Sequence, residues 1–77
     1  MLYASEAIQL MAAHPGRPFK MAEIRRYVET SMSVRKEDKP RRAAIRKGLL
    51  RVMHALIECG AVVYESKQQR VGRYVWR

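Results

Sequence analysis

Cysteine, acidic side chains and long apolar runs are scarce in this sequence, and each scarcity closes off a class of function. Cys59 is the single cysteine, so no intrachain disulfide can form and no second thiol exists to share a zinc ion. It reads as a small apolar filler near a helix end. No stretch approaches the ~18 apolar residues that span a bilayer, so no membrane partner is expected. The segment Met1-Leu2-Tyr3-Ala4-Ser5-Glu6 lacks the basic start and apolar core of a signal peptide, which implies a cytoplasmic protein.

The residues that enzymes need are also thin. No Gly-rich phosphate loop appears. Glu37 and Asp38 are neighbours inside a basic run, which suits a solvated or capping pair better than an acid–base couple. His54 and Cys59 are five positions apart, so a helix would turn them to different sides and no thiol–imidazole pair forms locally. Neither an enzyme nor a bound cofactor or metal is expected. The aromatics are one Trp, four Tyr and one Phe, few enough that a small domain needs them inside rather than as stacking platforms for bases. The five methionines read as gap-fillers.

What is abundant is positive charge. The chain has 77 residues, 16 Lys and Arg against 7 Asp and Glu, and a net charge of +9. Its length allows one domain with a modest core and no deep cleft. Residues 1–34 carry four basic and three acidic side chains, whereas residues 35–77 carry twelve and four. Solubility does not require such asymmetry; a field of one sign on half of a small domain attracts polyanions.

The periodicity predicts an α+β domain, three helices followed by a hairpin. Ala4, Ala7, Ile8, Met11 and Ala12 form one helical face, with Ser5 as the expected N-cap and His14-Pro15-Gly16-Arg17-Pro18 ending the helix. Phe19 is expected to be buried. Met21 to Glu29 reads as a second helix on the stripe Met21, Ile24, Tyr27 and Val28. Thr30 to Lys39 has no clear period. Asp38 before Lys39-Pro40 is a plausible start for a third helix, which runs to Cys59 and stops at Gly60. At 100° per residue, Ile45, Val52, Met53 and Leu56 fall within about 60° of Leu49, and Lys47, Arg51, His54 and Glu58 lie opposite. Leu50 sits at the edge of the apolar stripe. Residues 61–66 and 73–77 alternate as strands around a polar turn, with Tyr74 and Trp76 on one face and Tyr64 opposite.

Three pieces of sequence then combine. They are the helix closing at Pro15-Gly16, Phe19-Lys20-Met21-Ala22-Glu23-Ile24 opening a second helix, and Met53-x-x-Leu56-x-x-x-Gly60-Ala61-Val62 with a basic hairpin behind it. In this order they resemble the winged helix-turn-helix DNA-binding family, of the small bacterial or phage regulator type, over nearly the whole chain. The resemblance implies a three-helix core with a C-terminal β-hairpin wing, the third helix lying in the major groove of duplex DNA. It would make the chain a small, nucleoid-associated transcriptional regulator, with a homodimer on two half-sites as one arrangement. Lys47, Leu50, Arg51 and His54 would face the groove. Arg35, Lys36, Lys39, Arg41, Arg42 and Arg46 would contact phosphates. On the wing, Lys67, Arg70 and Arg73 would grip the backbone, and Gln68 and Gln69 would touch a groove edge.

The sequence departs from that pattern at one place. Ile24 and Leu49 are twenty-five positions apart, roughly fourteen more than the family places between those anchors. Either the third helix is extended at its N-terminus, or an added loop or short helix lies there. The segment 30–42 could reach phosphates or, as an alternative function, dock a protein partner in an adaptor or inhibitor.

Overall fold

The computed structural model describes residues 2–66 and 72–77. Its elements follow the order α1 (Ala4–Ala12), β1 (Pro18–Phe19), α2 (Met21–Ser31), α3 (Lys39–Glu58), β2 (Val62–Glu65) and β3 (Arg73–Trp76). The protein is a small α+β fold of three helices and a three-stranded antiparallel sheet in the order β1-β3-β2. This agrees with the expected helices and hairpin and adds β1. Among the described residues no helix is long and apolar enough to cross a membrane.

Local chemistry explains most of the boundaries. The Asp38 carboxylate accepts a hydrogen bond from the Arg41 amide at 3.2 Å, fixing the start of α3, and Pro40 fits its first turn, where no intrahelical N–H partner is needed. Gly60, at φ 85°, closes α3 in the left-handed conformation that glycine adopts without Cβ strain. In α2, the Glu23 carboxylate accepts from the Lys20 amide at 3.0 Å and also faces Arg17 at 3.6 Å.

The first helix corrects the expectation. It starts one residue before Ser5, behind Tyr3 at φ 69°, and no side chain caps it. The Tyr3 ring lies against Gly48 of α3, and the chain reverses there to place it. Helix α1 also stops at Ala12, before His14.

Among the described residues ten apolar side chains form the core: Ala7 and Met11 of α1, Phe19 of β1, Ile24 and Val28 of α2, Ile45, Leu49, Val52 and Met53 of α3, and Val62 of β2. Tyr74 and Trp76 pack against them, so the expected α3 stripe and the expected inward aromatics are both present. Pro18 pairs with Val75 and Phe19 with Tyr74. Pro18 has no N–H to give a ladder, and an edge strand tolerates that. The turn before β1 is tied to the sheet by the Gly16 amide, which donates to the Trp76 carbonyl at 2.9 Å.

The additional residues between α2 and α3 are accounted for by helix extension and a loop. Helix α3 has 20 residues, and residues 32–38 connect it to α2 without a helix of their own. Met32 and Val34 turn inward onto the core. Arg42 fastens the connection. Its Nε donates to Glu29 Oε2 at 3.3 Å and its Nη1 to the Lys36 carbonyl at 3.1 Å. Arg25 faces the same Glu29 oxygen at 3.4 Å, so one carboxylate holds two guanidinium groups between α2 and α3. Cys59 departs from the filler role: it is exposed, with its Sγ donating to the Leu56 carbonyl at 3.4 Å.

Candidate nucleic-acid interface

Helix α3 is amphipathic because its apolar residues recur at three- and four-residue intervals, and burying that stripe turns the opposite arc to solvent. Lys47, Leu50, Arg51 and His54 are all exposed on that arc. Leu50, placed by periodicity at the edge of the stripe, is 44% exposed, which puts it among the three polar residues rather than in the core. From Lys47 to His54 the arc runs about 10 Å along the helix. Among the described residues neither Lys47 nor Arg51 has an ion-pair partner. The imidazole of His54 faces Glu58 Oε1 at 3.0 Å, one turn on, with both side chains exposed.

Two flanks bound this arc. On one side Arg46 and Arg25 line a small depression with Met21 and Ala22 at the start of α2. On another, Leu2 and Tyr3 form a shallow hollow with Ala44, Lys47, Gly48 and Arg51. Towards the C-terminal end, Leu50, His54 and Ile57 face Tyr64 and Tyr74 across an open, largely apolar groove. The two tyrosines are cross-strand partners with ring centroids 5.0 Å apart. Burial, and secondarily the neighbouring Tyr64, holds the Tyr74 phenol above the ordinary tyrosine range. No family model matches the chain, and no match was found among curated proteins or solved structures.

The other expected contact residues are distributed unevenly. Arg35, Lys36, Lys39 and Arg41 are exposed around the α2–α3 connection and the first turn of α3. Arg46 is exposed beside the α2 start. Arg42 is half-buried and engaged with Glu29 and the Lys36 carbonyl, so its guanidinium serves the fold. Arg73 pairs in register with Glu65. Tyr74 and Trp76 pack inward, and strand alternation therefore sends Arg73 to the sheet face away from α3. Lys67, Gln68, Gln69 and Arg70 lie outside the described residues.

Sequence reasoning missed Tyr3, Tyr64 and Tyr74 as neighbours of the α3 face. A signal for the first was present: an isolated glycine inside a helical pattern, Gly48, marks a close approach by something. For the tyrosines of the sheet, strand alternation placed Tyr64 opposite Tyr74 and Trp76, whereas the register pairs Tyr64 with Tyr74 on one face, because the pairing of two strands is not written in either alone.

Proposed function

We propose that the chain is a winged-helix protein that binds duplex DNA, with the outward arc of α3 in the major groove. The order α1-β1-α2-α3-β2-β3, with β1 closing the sheet on β3, supports the winged-helix reading. The observation that carries the functional reading is the exposed set Lys47, Arg51 and His54 on one side of a long helix, its two permanent cations without an ion-pair partner among the described residues. Cations left without acidic partners are available to phosphates and base edges. Three of the seven acids are engaged elsewhere: Glu23 with Arg17, Glu29 with Arg25 and Arg42, Asp38 at the α3 cap.

In this reading Arg46, Lys39 and Arg41 hold phosphates while Lys47 and Arg51 reach base edges. A guanidinium can donate two hydrogen bonds to guanine, worth about 1–3 kcal/mol of discrimination. Such a protein would act as a small transcriptional regulator. Docking of a protein through residues 30–42 has less support. The apolar members of that segment, Met32 and Val34, face the core, and its exposed side chains are mostly charged or polar.

The test is a titration with mixed-sequence duplex DNA at several salt concentrations. The expected log–log slope is about 0.9 per phosphate neutralised, hence about 2.7 in magnitude with Lys39, Arg41 and Arg46 on phosphates. Binding that ignores salt, or no binding at low salt, overturns the proposal.

A further inference from the structure

Leu50 is the one large apolar side chain among the four exposed residues of the α3 arc, on its border with the groove that Ile57, Tyr64 and Tyr74 line. Lys47 precedes it by three positions, Arg51 follows it, and His54 lies one turn on. The core does not require it, because Ile45, Leu49, Val52 and Met53 complete the buried stripe without it. It is 44% exposed all the same, so apolar surface stands in water beside Lys47, Arg51 and His54, at the border of the groove shared with Ile57, Tyr64 and Tyr74. On the DNA reading, which this inference takes as its basis, that surface must meet a base edge.

The chemistry of the major groove leaves few partners. Guanine, cytosine and adenine offer hydrogen-bond donors and acceptors there, and an isobutyl group pressed on them would strip water and return no bond. Thymine alone of the four bases offers an apolar group, its C5-methyl. We infer that Leu50 is a specificity residue that selects thymine through this methyl, next to the bases reached by Lys47 and Arg51. The neighbours sharpen the choice. Lys47 and Arg51 fix the register of the helix by their hydrogen bonds, and Leu50 then tolerates one base edge and penalises the others.

The experiment has two stages. Binding sites are first selected from a random duplex library with the whole chain, and each thymine in the selected duplex is then replaced, one at a time, by deoxyuridine. This swap removes the C5-methyl and leaves base pairing unchanged. The wild-type protein is expected to lose about fourfold in affinity at one thymine per bound site, the worth of one buried methyl. The Leu50→Ala protein is expected to bind the thymine and deoxyuridine duplexes equally. The thymine-to-deoxyuridine comparison on the wild-type protein needs no variant, so folding of Leu50→Ala does not limit it. A selection with no fixed thymine, equal wild-type affinity for every deoxyuridine duplex, or a penalty that survives in Leu50→Ala would each overturn the inference while salt-dependent DNA binding stands. Failure to bind any duplex at low salt would instead remove the underlying reading.

Discussion

At the scale of single residues, Gly48 shows a sequence feature whose meaning depends on a distant partner. A glycine in a helix interior costs about 1 kcal/mol relative to alanine, and here a Cβ would come within 2.5 Å of the Tyr3 ring. Gly48→Ala is therefore expected to gain nothing in the wild-type chain, and to stabilise by about 0.5–1 kcal/mol once Tyr3→Ala has removed the ring. Chemical denaturation of the four proteins in the cycle checks this. The glycine was visible in the sequence; its partner was not, because Tyr3 belongs to a different helix start. Tyr74 gives a pH dependence. Its folded pKa is raised, so the folded chain holds the phenolic proton more tightly than the unfolded chain does. The associated stability is complete below about pH 10 and is lost as pH rises through the folded value. Denaturation midpoints between about pH 9 and 11 should fall less steeply for Tyr74→Phe than for the wild type.

At the scale of elements, what was legible were starts and stops with their own side-chain chemistry. Asp38 and Gly60 mark the ends of α3 because a carboxylate cap and a left-handed glycine act within a single turn. Asp38→Ala is expected to lower stability by about 1 kcal/mol, read as a shift in urea midpoint without a change in slope. The start of α1 was misplaced at Ser5 because tertiary packing of Tyr3, not capping, sets it. Strand β1 escaped notice because two residues carry no period, and its pairing partner lies at the far end of the chain. The Arg25–Glu29–Arg42 cluster was equally invisible, since it joins residues across a segment without a pattern. Glu29 is largely buried, at 13% side-chain exposure, so Glu29→Gln leaves two partly buried guanidinium groups facing each other. A loss of about 1–3 kcal/mol is expected, with faster amide exchange in residues 32–38 as the local signature.

At the scale of the whole molecule, the candidate site was about half legible. Periodicity alone assigned Lys47, Arg51 and His54 to the outward side of α3, because burying one stripe of a helix dictates the other. It could not say that Arg42 would turn to Glu29 or that Arg73 would face away from α3, since both depend on how elements meet. The proposed interface is therefore narrower than the count of basic residues suggests, centred on one helix and flanked by Arg46 and the α2 start. The most direct test follows amide resonances of the labelled protein as a mixed-sequence duplex is added at low salt. The account predicts that the largest shifts fall between Ala43 and His54 on α3, with smaller ones near Met21 and Ala22. Shifts that instead gather on residues 32–38 or on α1, leaving Lys47, Leu50 and Arg51 unmoved, would contradict it.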